Sequence, residues 1–218
     1  MVLLRTLKIV ALAAALAGGT VARASDNPAM DAQVGRIDSE WQRIKYQVRD
    51  KDQQYRQLDA LARQAAQVAG RFPGRAEPLL WEGIVTSEEA GRASMFQALG
   101  LAKQARDLLD KAKAIDAKAA HGGVLMSLGV LYYRVPGFPI GFGSAQKAKS
   151  YLEAALTMDP GGLDANYFYG DYLLAQGDHA RAKTYLMRAL RAPANPARPV
   201  WDAGRRNEVK ALIAKANG

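Results

Sequence analysis

The chain has 218 residues, 49% of them hydrophobic and 23% charged, with no cysteine, two histidines and a formal net charge of +9. That share of apolar side chains excludes an intrinsically disordered chain, and the lack of cysteine excludes disulfide scaffolds, thiol catalysis and cysteine-ligated zinc. Stability has to come from packing alone.

In chain order, Arg5 and Lys8 precede an apolar stretch from Ile9 to Ala17, followed by small residues ending in Ala22, Arg23 and Ala24. This is the layout of a secretory signal peptide, cleaved after Ala24. The apolar stretch falls well short of the roughly 20 residues that a spanning helix needs. The mature chain, residues 25–218, is therefore expected to be periplasmic, with no transmembrane helix and, for want of a cysteine, no lipid anchor. Removing the leader lowers the formal charge to about +6. The excess is concentrated at the C-terminal end, where nine Lys and Arg after His179 meet only Asp202 and Glu208. In an exported chain such charge argues against nucleic acid, and leaves a solvated face, an acidic partner or an anionic membrane surface.

Residues 28–73 show helical periodicity of low regularity. One helix is expected around Trp41 to Val48, and a second carries Leu58, Leu61, Ala65 and Val68 on one face before Gly70 and Pro73 end it. Residues 76–118 open on Leu80, Trp81, Glu82 and Gly83 and close on Ala105, Leu109 and Ala112, with a long inter-helix segment expected from Glu88 to Gly100. Residues 122–160 place Leu128, Gly129, Val130, Leu131 and Tyr132 on a first helix, and Ala148, Leu152, Ala155 and Leu156 on a second that stops at Pro160. Residues 163–196 repeat the pattern with Tyr167 to Leu173, a turn at Gly177 and Asp178, then Ala182, Leu186, Ala189 and Leu190. Residues 200–216 form a capping helix, with Val209, Leu212 and Ile213 on one face and Arg205, Arg206, Lys210 and Lys215 on the other.

Ala148 and Ala182 stand 34 residues apart, the period of helix-turn-helix repeats. Gly129 and Gly170 stand 41 apart, so about seven extra residues sit between the helices of the earlier copy, in the Pro- and Gly-rich stretch 135–143. The small residues Gly83, Gly129 and Gly170, facing Ala105, Ala148 and Ala182, allow paired helices to approach closely, and each pair needs a neighbour to cover its remaining apolar face. The fold expected is all-α: a right-handed α-solenoid of about three to four helix pairs with a C-terminal capping helix.

At these positions the sequence resembles tetratricopeptide-repeat proteins. More narrowly, the run LGVLYYRVPGFPIGFGSAQKAKSYLEAAL, a repeat split by a Pro/Gly loop, is similar to the periplasmic T component of TRAP-type transporters. That resemblance implies a periplasmic scaffold that binds a protein partner, an extracytoplasmic solute-binding protein, and that forms homo-oligomers around an apolar channel. It brings no cofactor and no catalytic residue. The alternative reading is a carrier or pore-forming oligomer that holds a small hydrophobic molecule directly.

The residues themselves agree with binding. His121 and His179 have no nucleophile or metal ligands beside them in the sequence, and no phosphate-binding glycine loop or carboxylate cluster is present, so neither an enzyme nor a metal site is expected. Repeat arrays bind on the concave wall built by their first helices. In register with Gly129 and Gly170, that wall is expected to present Met126, Val130, Tyr133 and Arg134, then Asp164, Tyr167, Asp171 and Leu174, although the tyrosines could equally pack on neighbouring helices. The inserted loop alternates apolar side chains at Phe138, Ile140 and Phe142 behind Pro136. It either folds back over the groove and core or protrudes to meet a partner, and it is expected to close one wall of the groove.

Overall fold

The computed structural model describes residues 27–217, and the expected signal peptide lies outside them. The described residues form α1 (Pro28–Gln47), α2 (Lys51–Arg71), α3 (Ala76–Ala90), α4 (Met95–Asp116), α5 (Ala119–Arg134), α6 (Ala145–Met158), α7 (Leu163–Ala175), α8 (His179–Leu190) and α9 (Pro199–Ala216), with no strand among them. Local chemistry sets several of the helix starts. The side chains of Asn27, Asp50, Ser144 and Asp178 each accept a hydrogen bond from a backbone N–H in the first turn of the helix that follows.

Four antiparallel pairs, α1/α2, α3/α4, α5/α6 and α7/α8, stack in sequence, and α9 packs on the last. The result is the all-α solenoid expected from the repeats. Every joint but the first uses the same device. A methyl added at Gly83 would lie 2.8 Å from Leu109 Cγ, at Gly129 it would lie 2.6 Å from Leu152 Cγ, and at Gly170 it would lie 2.7 Å from Leu186 Cγ. In each case the backbone carbonyl of the facing alanine, Ala105, Ala148 or Ala182, is 3.3 to 3.4 Å from the same point. The leucine fills the space the glycine leaves, and all three leucines are buried.

The two extended repeats spend their additional residues differently. Between Gly83 and Ala105 the chain leaves the helix only at residues 91–94, so most of the expected inter-helix segment is helical, as the last residues of α3 and the first turns of α4. The sequence MFQALGLAKQ contains no proline and is rich in helix formers, which makes added helix the favoured outcome. Between α5 and α6, Pro136 and Pro139 forbid that solution and the segment stays a loop. It is held by its own backbone, with Gly143 N–H donating to Pro136 O at 2.9 Å and Ser144 N–H donating to Tyr132 O at 2.7 Å.

One face of the capping helix differs from the amphipathic reading. Arg205 is only 2% exposed and belongs to the buried side with Trp201 and Val209. Arg206 donates to the carbonyls of Leu190 and Ala192, closing the C-terminal end of α8, and is held by Asp202 at 2.8 Å. Much of the basic C-terminal end is therefore engaged inside the molecule.

The glycine lock makes a prediction with two signs. Gly129→Ala forces Leu152 to move against a full core and should destabilise the chain by about 1–3 kcal/mol. Gly35→Ala, on α1 where a methyl would meet nothing within 4 Å among the described residues, should stabilise it by about 0.5–1 kcal/mol through backbone entropy. Urea unfolding midpoints of the two variants decide it.

Candidate functional site

The first helices of the pairs, α1, α3, α5 and α7, lie side by side, α7 touches α9, and α9 returns to touch α1. The inner wall of the solenoid is thereby closed on itself. Several contacts make the closure, among them Lys45 with Glu208 at 3.8 Å. Arg198 donates two hydrogen bonds to the Asp38 carboxylate at 2.8 and 2.7 Å. The backbone N–H of Trp201 donates to Gln42 Oε1 at 3.1 Å. Gly204 lets the Tyr46 ring approach so closely that a methyl on Gly204 would overlap it.

Inside is a chamber of about 700 Å³. Its apolar wall comes from Trp41 on α1, Trp81 and Ile84 on α3, Met126 and Val130 on α5, and Phe168 on α7. Leu99 of α4 and Pro136 and Ile140 of the inserted loop complete the rim. Trp41 and Trp81 meet edge to face at 5.8 Å. Rings held this way offer flat, rigid apolar surface.

Charges are set into this wall, each with a partner. Glu88 lies 2.7 Å from both Lys45 Nζ and Arg92 Nη1. Arg205 bridges Asp164 and Glu208, and its guanidinium lies over Tyr167 at 4.3 Å and Phe168 at 4.6 Å. The Arg205–Asp164 contact is a close ion pair, 2.6 Å from Nε to Oδ1, but it lacks the alignment of a hydrogen bond. Arg134 donates to Asp171 at 2.7 Å, and Tyr133 donates to the same carboxylate oxygen at 2.6 Å. Burial pushes the Glu88 carboxyl up, but Lys45 and Arg92 outweigh it and hold it down at about 2. Burial pushes the Tyr167 phenol up to about 12, and raises the phenol of Tyr133 as well. At neutral pH the carboxylate is ionised and these phenols stay protonated, so the wall presents fixed charges and hydrogen-bond groups.

The sequence-derived positions divide into three groups. Met126, Val130, Arg134 and Asp164 line the chamber. Tyr133, Tyr167 and Asp171 stand behind that surface, Tyr133 and Asp171 holding Arg134 and Tyr167 lying under Arg205. Leu174 is in the core. On α7 the inward strip is Asp164 and Phe168, one turn apart, so the register there is one residue away from Tyr167. In the loop, Pro136 and Ile140 reach the chamber, while Phe142 folds back edge to face on Tyr132 at 5.6 Å and beneath Arg106 at 4.6 Å. Phe138 is 94% exposed. His121, in a left-handed kink within the first turn of α5, and His179, at the start of α8, are both exposed. No three His, Asp or Glu among the described residues are grouped to hold a metal ion.

Sequence reasoning missed Trp41, Trp81, Ile84, Phe168, Arg198 and Arg205. For Trp81 and Phe168 a signal existed: each stands two residues before its repeat glycine, as Ser127 does, and all three line the chamber. For Arg198 and Arg205 none did, because only the closure of α9 on α1 turns them inward.

The family model of the tetratricopeptide repeat matches residues 140–216. A tetratricopeptide-repeat protein of Thermus thermophilus, TTC0263, superposes with a TM-score of 0.58 at 15% identity, over 86% of this chain and 90% of that one. The fold is a tetratricopeptide-type α-solenoid. Two structures of MamA, one of them designated AMB-1, superpose with TM-scores of 0.47 and 0.44 at 16% and 20% identity, covering 86% and 77% of this chain and 95% and 91% of theirs. No curated protein matches the sequence.

Two predictions arise from the wall. A carboxyl held below its ordinary 4.5 contributes stability that is complete above that value and is lost as pH falls toward about 2. Urea midpoints should therefore drop across that window in the parent and drop less in Glu88→Gln, which should also be weaker at pH 7 by about 2 kcal/mol because Arg92 loses its carboxylate and Lys45 keeps only Glu208. In the loop, Phe142→Ala should destabilise by at least about 1 kcal/mol through the lost ring contacts, whereas Phe138→Ala should leave the midpoint unchanged; thermal unfolding of both reads the contrast.

Proposed function

We propose that this chain is a non-catalytic adaptor of the periplasm that holds a protein partner in its inner chamber. The observation that carries the reading is the chamber itself: rigid aromatic walls, charges fixed in place by partners, and one concave cavity of about 700 Å³ that opens at its rim. An α-helix about 10 Å across fills roughly 400 Å³ per turn, so fewer than two turns fit. The buried part of the occupant is a short segment of the partner. The periplasmic location rests on the charged, apolar and small-residue order of residues 1–24. Service to a TRAP-type uptake system, through a solute-binding protein, rests on the resemblance in the stretch around the inserted loop.

A second reading is favoured by the same cavity. Pockets of roughly 300–1,000 Å³ suit small molecules, and a small hydrophobic ligand would satisfy Trp41, Trp81, Met126 and Phe168 equally well.

A photo-crosslinking residue placed in living cells at Ser127, inside the chamber, should yield an adduct of protein size, while the same residue at Lys149, exposed on α6, should not. No protein adduct from Ser127, together with a retained small molecule in native mass spectrometry of the purified chain, would replace the adaptor by the carrier. Recovery of the chain from the cytoplasm with its leader intact would overturn the location.

A further inference from the structure

Among the described residues, four large hydrophobic side chains stand almost free of the protein. Met95 is 87% exposed, Phe96 97%, Phe138 94% and Ile140 70%, whereas the next most exposed, Ile115, is at 45%. They come from two separate segments, the start of α4 and the loop between α5 and α6, yet they share one edge of the molecule. Met95 and Ile140 both line the chamber rim. A methyl on Gly141 of the loop would lie 3.4 Å from Leu99 of α4, and Arg106 of α4 lies over Phe142 of the loop. Exposure this complete, at one edge, calls for a partner.

The charge around the edge says which kind. Residues 90–106, which include the first turns of α4, contain Arg92, Lys103 and Arg106 and no acidic residue. Residues 117–152, which include the whole loop and both its flanks, contain Lys118, Arg134, Lys147 and Lys149 and again no acidic residue. Some of these cations are engaged: Arg92 with Glu88, Arg106 with Asp107, Arg134 with Asp171 and Lys149 with Glu153. Lys103 and Lys147 carry no ion pair among the described residues; Lys103 is exposed, and Lys147 lies over the Tyr132 ring at the base of the loop. Apolar tips projecting from a basic edge match the boundary of an anionic bilayer, where rings sink to the level of the acyl chains and lysines meet lipid head groups. A second copy of the chain is disfavoured by the same charges, because two such edges brought face to face would repel.

We infer that this edge, with Met95 and Phe96 on α4 and Phe138 and Ile140 on the inserted loop, docks the protein on an anionic membrane surface. The contact is reversible and interfacial. No helix among the described residues is long and apolar enough to cross a bilayer. Because Met95 and Ile140 belong to both features, docking would turn the chamber rim toward the lipid. The inference does not depend on what fills the chamber.

The test is vesicle flotation with the chain beginning at Ser25, which contains every described residue and lacks the apolar leader that would bind lipid by itself. Expected is recovery with vesicles of phosphatidylcholine containing roughly a third phosphatidylglycerol, little recovery with phosphatidylcholine alone, and release at high salt. Phe96→Ser with Phe138→Ser should lower partitioning by about tenfold or more, and Lys103→Glu with Lys147→Glu should lower it on anionic vesicles only. A urea midpoint equal to the parent's verifies folding of each variant; should the first pair misfold, Met95→Ser with Ile140→Ser carries the same expectation. Absence of flotation, flotation unchanged by removing the rings, or a dimer in sedimentation that the same substitutions dissolve would each overturn the inference.

Discussion

The contact on which the rest depends is the approach of two helices at a glycine, with a leucine from the second helix filling the missing side chain. It occurs at Gly83 with Leu109, Gly129 with Leu152 and Gly170 with Leu186, at nearly equal distances, although the chain between the partners differs in length and in kind each time. Because interiors are packed as densely as crystals, this approach leaves little freedom in how one helix sits on the next. Repeating one geometry three times nests each of these pairs alike, and the stacking of the pairs brings α9 round to α1.

Where the arc meets itself, apolar packing gives way to charge. Asp38 with Arg198 and Lys45 with Glu208 tie α1 to the C-terminal end of the chain, and Arg205 ties α9 to Asp164 of α7. Buried ion pairs of this kind contribute little net stability against well-packed apolar residues, but breaking one is costly, so they select a single arrangement of the ends. Arginines lying over Tyr167, Phe168, Trp81 and Trp201 add attraction between cation and ring without requiring either to leave the wall. The closure turns the inner groove into a chamber walled on most sides and open at its rim.

The inserted loop shows how one short segment can serve two environments. Phe142 is anchored on Tyr132 and Arg106, which fixes the base of the loop, and that anchor leaves Phe138 and Ile140 outside. Alternation along the chain alone cannot tell the anchored ring from the exposed one. The ring of Tyr132, presented by α5, decides it.

The helices themselves were legible in the amino-acid order. Ala148 and Ala182 at a period of 34 residues, each with a leucine four residues on, and the glycines that face them specify close-packed pairs, because a larger residue at those positions has no room. Met126, Val130, Arg134 and Asp164 were reached by counting helical turns from those glycines. The count slipped by one residue at Tyr167, where Phe168 faces inward, because neighbouring positions on a helix point only about 100° apart. Arg205 shows the limit more sharply: by composition it belongs on a solvent face, and only the return of α9 to α1 surrounds it with Asp164, Glu208 and two rings. The local pattern determined which helices form and how each pair nests, since those contacts lie close along the chain. The stacking of the pairs decided that the wall closes and which charges it traps, since that depends on contacts 160 and 159 residues apart that no short-range spacing records.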